Sequence, residues 1–196
     1  MAGAAYRERL KADTIAIARR ILATEGLAAL QARRVAKEAG CSVGTIYNLY
    51  ANLDDLIVVA NAGTLEDLGA ALSSELVQTS GQAFTDRLVG LGLAYLAFAV
   101  DHEASWRALF EHHLAPDETV PQWYRDRQAE LFAIVERLLA DRADAAEERA
   151  MAARALFGAV HGIVSLALDQ KLGSFDRSDT EAQIRFVIGS TARANA

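Results

Sequence analysis

The chain has 196 residues, 52% of them hydrophobic and 23% charged, a globular composition that excludes intrinsic disorder. Its 2 prolines and single cysteine, Cys41, leave room for long helices and exclude a disulfide framework. The net charge of −6 is uneven: residues 1–52 carry 8 Lys and Arg against 4 Asp and Glu, and the remainder carries 12 against 22. A basic end that can approach polyphosphate and an acidic body that cannot are therefore expected to have separate tasks.

The N-terminal stretch "MAGAAYRERLKAD" lacks the apolar centre of a signal peptide, so a cytoplasmic location is expected. From Tyr6 to Thr24, the positions Leu10, Thr14, Ile17, Ala18, Ile21 and Leu22 keep a 3.6-residue stripe, and Gly26 is a natural stop. A second short helix is predicted over Gln31–Ala39, ending at Gly40, with Val35, Ala36 and Ala39 inward. Ser42 is placed to cap a third, Val43–Tyr50. Asn52 or Leu53 opens a long fourth helix with Asp54 and Asp55 at its positive end.

After the loop "TSGQ" at 79–82, helices are predicted over Ala83–Val100, Glu103–Leu114, Gln122–Arg142, Ala145–Leu172 and Thr180–Ala194, with both prolines, Pro116 and Pro121, in the break "APDETVP". The longest uninterrupted apolar run, Leu88–Val100, has 13 residues. Crossing a bilayer takes roughly 20, so the run is read as a buried helix and no membrane partner is expected. The expected fold is all-α with about nine helices, divided into residues 1–52 and 53–196.

The segment "AGCS" joins two short helices, which is the pattern of a helix-turn-helix offering its second helix to the DNA major groove. Gly40 can take the left-handed backbone that ends one helix abruptly. Val43, Gly44 and Thr45 are small enough to let the leading end of the next helix approach base edges. Tyr47 and Tyr50 can pack their rings inward and reach phosphates with their hydroxyls. Spacing alone leaves an alternative open, since any tight three-helix corner that binds nothing has the same outline.

The stretch "GLAALQARRVAKEAGCSVGTIYNLYANLDDLI" resembles the DNA-binding segment of the TetR family of bacterial transcriptional regulators. The resemblance lies in Val35-Ala36, Ala39-Gly40-Cys41-Ser42, Gly44-Thr45-Ile46-Tyr47, Tyr50 and Leu56. "RLVGLGLAYLAFAVDHEASWRALFE" and "LFGAVHGIVSLAL" are similar to the WHG type of TetR-family C-terminal domain. The resemblance implies a homodimer with an N-terminal three-helix reader of palindromic operators and a helical body that binds a small molecule and dimerises. It implies DNA contacts at Thr45 and Tyr47, at Val43 and Gly44 on the entering end, and at Arg33 on the preceding helix; Ser42, Asn48 and Tyr50 complete the candidate DNA-binding set. The chain departs from the family pattern at Leu53, where a phosphate-holding Lys is usual, at Leu49, where His or Tyr is usual, and at Gln31, where Ser or Thr caps the second helix. Lost phosphate partners predict a shallower salt dependence, which Arg7, Arg9, Lys11, Arg33 and Lys37 are placed to offset.

In the acidic body, Gly158 and Gly162 stand four apart beside Ala155 and Ala159, a spacing that lets helix axes approach closely. The resemblance implies that the last two helices pair with their copies, so the dimer interface is expected at these four residues and at Gln183, Phe186 and Val187. Packing inside the chain against the fifth helix is the alternative, above all for Gly162. An effector site between the fourth and eighth helices is expected to use Tyr95, Phe98, Trp106 and Phe110 with Trp123, Phe132, Phe157 and His161. With few charges destined for the interior, an apolar or aromatic effector is expected. The histidines His102, His112, His113 and His161 show no convergent ligand spacing, so no metal is expected, and no cofactor motif or catalytic constellation is present. Cys41 suits the packing of the turn better than a redox switch.

These readings point to a ligand-responsive, non-enzymatic transcriptional repressor that binds double-stranded DNA. Two rivals are a helical adaptor that has lost DNA binding, as Leu49 and Leu53 would suit, and an all-α enzyme with a vestigial helix-turn-helix.

Overall fold

The computed structural model describes residues 2–114, 119–140, 145–171, 173 and 176–194. Among the described residues it is all-α: α1 (Ala2–Glu25), α2 (Ala32–Glu38), α3 (Val43–Leu49), α4 (Leu53–Gln78), α5 (Phe84–Asp101), α6 (Glu103–Glu111), α7 (Gln122–Leu139), α8 (Ala146–Leu168) and α9 (Arg177–Ala194), with one 3-10 turn at Leu27–Ala29. The predicted order holds, and the ends shift for local reasons. α1 starts earlier than its apolar stripe because the alanines before Tyr6 favour helix without needing burial. α6 stops at Glu111, three residues short, because His112 turns to an extended backbone and its ring bonds Asp54. α9 starts earlier because Asp176 accepts the Asp179 N–H at 2.9 Å, which caps the helix three residues ahead of Thr180. Pro116 and the expected helix ends Arg142 and Leu172 lie outside the described residues.

The chain forms two compact units, residues 1–66 with 102–125 and residues 67–101 with 126–196. The first is built around Ile21, Leu22, Val35, Ile46 and Leu56, each buried, with Ala108 of α6 in the same cluster. Burying an aliphatic side chain of this size contributes about 1.5–3 kcal/mol, so these five hold the short α2 and α3, which could not persist alone. A buried amide fastens α6 to this unit: Asn61 Nδ2 donates to the Ala108 carbonyl at 3.1 Å.

In the second unit, α5 and α8 pack with α9. Gly92 permits the close approach of α5 to α9, since a Cβ there would lie 2.8 Å from both Ile184 and Ile188. By length and composition alone, α4 and α8 are each long and apolar enough to cross a bilayer, whereas α5, which holds the run Leu88–Val100, is not among such helices. The most apolar window of α4 is 61% buried, whereas that of α8 is only 22% buried.

Candidate nucleic-acid interface

The chain direction reverses at "AGCS" through a complete backbone device. Gly40 adopts φ +67°, the Cys41 N–H donates to the Ala36 carbonyl at 2.9 Å, and the Gly40 N–H to Lys37 at 3.3 Å. This is the Schellman arrangement, which satisfies the last carbonyls of α2 and needs a residue tolerant of positive φ. Cys41 packs against the core, as the following apolar position of that motif requires. Ser42 then opens α3: its Oγ accepts the Thr45 N–H at 3.1 Å and lies 2.8 Å from Thr45 Oγ1.

The recognition-helix residues divide into those that hold and those that face out. Val43 packs partly on the core, while Gly44 and Asn48 are exposed and Tyr47 is 50% exposed. Thr45 is half-buried, and Arg33 is exposed on α2. Tyr50 is corrected from the expected phosphate role. It is only 5% exposed, its hydroxyl lies 2.9 Å from Thr14 Oγ1, and it donates more weakly to the Lys11 carbonyl at 3.4 Å. Burial raises its hydroxyl pKa, partly countered by the bond to Thr14. Tyr50 therefore pins the end of α3 onto α1 and does not reach outward.

Two further fastenings hold the reader. Arg34 Nη1 donates to Glu25 at 2.7 Å and its Nε to Glu38 at 3.1 Å, while Arg20 also pairs with Glu38, which braces α2 against α1. The hydrogen bonds from Arg34 lower the pKa of both Glu25 and Glu38 and raise that of Arg34 in return. At the start of α4, Asn52 Oδ1 accepts the Asp55 N–H at 2.8 Å and the Asp55 carboxylate accepts the Ala51 N–H at 2.9 Å, a reciprocal cap. Sequence reasoning missed the buried role of Thr14 and the bond that ties Arg7 to Asn48. The available signal for Thr14 was a polar residue inside an apolar stripe, which implies a buried partner.

The aromatic candidates for an effector site are drawn from both units. In the second unit, Tyr95, Phe132, Phe157 and His161 come together. The Tyr95 hydroxyl lies 2.8 Å from His161 Nδ1, Phe157 stacks on His161 at 5.4 Å and meets Phe132 edge-on at 5.5 Å. Arg154 sits over the Phe132 ring at 5.4 Å. Burial lowers the His161 pKa, which favours the neutral ring. Phe98 is buried in the same unit. Trp106 and Phe110 (5.3 Å apart) and Trp123 belong to the other unit.

The α8–α9 candidates present an open face. Ala155, Gly158, Gln183 and Phe186 are exposed, and Ala159, Gly162 and Val187 are half-buried. A Cβ added at Gly158 or Gly162 would meet nothing within 4 Å among the described residues, so neither glycine is placed where a close approach to α5 requires it.

Residues 15–59 match the family profile described as "Bacterial regulatory proteins, tetR family". Residues 88–190, more than half of the chain, match "Tetracyclin repressor-like, C-terminal domain". The chain belongs to the TetR family of transcriptional regulators. The HTH-type transcriptional regulator Rv1816 of Mycobacterium tuberculosis is 25% identical over 118 residues, covering 58% of this chain and 50% of its own. The chain thus spans about half the length of the curated relatives it matches. Among solved structures, a Rhodococcus sp. RHA1 protein of unknown function shares the TetR-family fold with TM-score 0.74, 21% identity and 95% coverage of both chains. The multidrug binding protein EbrR, solved in complex with imidazole, is similar with TM-score 0.64, 25% identity and coverage of 92% of this chain and 93% of its own.

Proposed function

We propose that this TetR-family regulator is a cytoplasmic repressor that binds palindromic operator DNA as a homodimer and is released by a small-molecule effector. One observation carries the reading: a capped, rigidly docked α3 turns Gly44, Tyr47 and Asn48 outward with no large side chain at its leading end. A helix held this way can enter a major groove, and a dimer would place two such helices about 34–36 Å apart, one turn of duplex. Small residues leading and a fastened tyrosine behind are what a tip built for close approach requires.

The dimer reading is supported by α8 and α9. Met151 and Leu166 are 68% and 44% exposed, and Phe186 is 75% exposed. With Ala155, Gly158 and Gly162 between them, Met151 and Leu166 form one apolar stripe at helical spacing on α8. Such a stripe on a helix only 22% buried in its most apolar part needs a cover, and a second copy offers a self-complementary one. Phe186→Glu is expected to shift the protein to monomer in sedimentation and to weaken operator binding with it. A variant that stays dimeric would remove this face from the interface.

For the effector, the Tyr95–Phe157–His161 cluster favours an apolar or aromatic molecule that meets one hydrogen-bonding pair, and the multidrug-binding description of EbrR points the same way. An effector can shift operator affinity only by its differential affinity for two conformations, typically about 1–3 kcal/mol. Selection from random duplexes with the purified protein tests the central claim. It is expected to enrich a palindrome that planar aromatic compounds then release; enrichment of no sequence would refute operator reading and favour an adaptor.

A further inference from the structure

The proposed reader carries an electrostatic gap. Residues 38–86 contain no Lys or Arg, so neither α3 nor α4 brings a cation to the polyanion it would grip. At the corner between them, Leu49 and Leu53 are spent on the core. Asp54 accepts a bond from His112 at 2.7 Å, and Asp55 accepts one from the Ala51 N–H. We propose that Arg7, near the start of α1, supplies the missing charge as a phosphate clamp beside the recognition helix. The inference rests on the DNA-binding function proposed above and deepens it by naming a backbone contact outside the helix-turn-helix.

The geometry is specific. Arg7 Nη2 donates at 2.9 Å to the main-chain carbonyl of Asn48, 41 residues away. Asn48 is the next-to-last residue of α3, so its carbonyl is one of those a helix end leaves without an internal donor. Arg7, Lys11 and Thr14 stand at i, i+4 and i+7, on one face of α1. The Thr14 hydroxyl and the Lys11 carbonyl are the groups that hold the Tyr50 hydroxyl. The stripe that docks the end of α3 therefore continues outward to carry Arg7 to it.

A guanidinium has five N–H donors, and the bond to Asn48 uses one. The fork is exposed, and the carbonyl that anchors it belongs to Asn48, which with Tyr47 is exposed on α3. Anchoring one N–H on a fixed carbonyl removes much of the rotamer freedom that a long side chain otherwise loses on gripping a phosphate. Arg9, by contrast, lies 4.0 Å from Asp13, and its charge is partly countered there. A phosphate clamp carries no sequence information, so the contact should be visible on any duplex.

The test uses the full chain, a random-sequence duplex pool as probe, and KCl titrations of the wild type, Arg7→Gln and Arg7→Lys. Arg7→Gln is expected to bind more weakly, with the slope of log K against log salt shallower by about 0.9 for each bound subunit. Arg7→Lys is expected to restore the slope, because the charge sets it. A slope for Arg7→Gln equal to the wild type overturns the clamp, including the case where palindrome selectivity alone is lost, since that would make Arg7 a positioning residue for α3. Circular dichroism of each variant excludes unfolding as the cause of a change; should Arg7→Gln unfold, Arg7→Lys decides, and a slope unlike the wild type's overturns the clamp. A wild type with no salt-dependent duplex binding overturns both this inference and the DNA-binding reading, whereas normal wild-type binding with an unchanged Arg7→Gln slope overturns the clamp alone.

Discussion

Gly44→Ala separates what the recognition helix needs to fold from what it needs to bind. Gly44 sits in the first turn of α3 at ordinary helical φ, and a Cβ built there meets only Ser42 Oγ at 3.7 Å, an ordinary van der Waals contact. The Ser42 cap can stay in place, and replacing glycine by alanine in a helix gains about 0.5–1 kcal/mol. For a chain of this size that is a rise in Tm of about 2–4 °C per kcal/mol, readable by urea or thermal unfolding at fixed protomer concentration. The same methyl lies at an exposed position on the face proposed to lie against base edges. Forcing it into a closely fitted contact costs about 1–3 kcal/mol per reader head, so operator affinity measured by anisotropy at fixed salt is expected to fall by at least tenfold. Gly40→Ala should behave oppositely. Its Cβ meets nothing within 4 Å among the described residues, but φ is +67°, so the strain of about 1–2 kcal/mol lowers stability directly. A stabilised Gly44→Ala protein with wild-type operator affinity would refute the placement of that face against DNA.

The other predictions concern how the reader and the body are held. Thr14→Val and Tyr50→Phe are each expected to cost about 1–1.5 kcal/mol in urea unfolding, with the double variant costing less than their sum because the two hydroxyls serve one bond; additive losses would mean the pair does not couple. Gly92→Ala is expected to destabilise by about 1–3 kcal/mol despite better helix propensity, because Ile184 and Ile188 block the methyl, whereas at Gly90→Ala the obstacle is the swinging end of Glu75 and the loss should be small. Acid should act in two stages. His161 has a folded pKa below its ordinary 6.5, so the folded protein binds fewer protons than the unfolded chain and stability declines as pH falls through about 6.5. Glu25 and Glu38, held below 4.5 by Arg34, contribute stability that is complete above that value and is lost as pH falls through their lowered values. Arg34→Gln should remove the second stage from a pH series of unfolding midpoints, and its persistence would exclude this brace as the cause.

What could be read from the sequence and what could not divide along a physical line. Gly40 and Ser42 act within a few residues of themselves, through the backbone conformation of one and the hydroxyl of the other, so their roles in the turn followed from residue type alone. Tyr50 shows where that reasoning stops. Its amphipathic side chain suited either an outward phosphate contact or an inward one. The choice was made by Thr14, 36 residues earlier, and one-dimensional spacing does not reveal which residues of α1 and α3 meet. The aromatic candidates divide between the two units for the same reason. Helical spacing assigns a residue to a face, but Trp106 and Phe110 fold with the N-terminal unit, while Tyr95 and Phe157 fold with the other. Arg7 combines both lessons. Its charge was visible and its destination was not, yet the absence of any Lys or Arg between residues 38 and 86 already implied that a DNA reader built on α3 must borrow a cation from elsewhere in the chain.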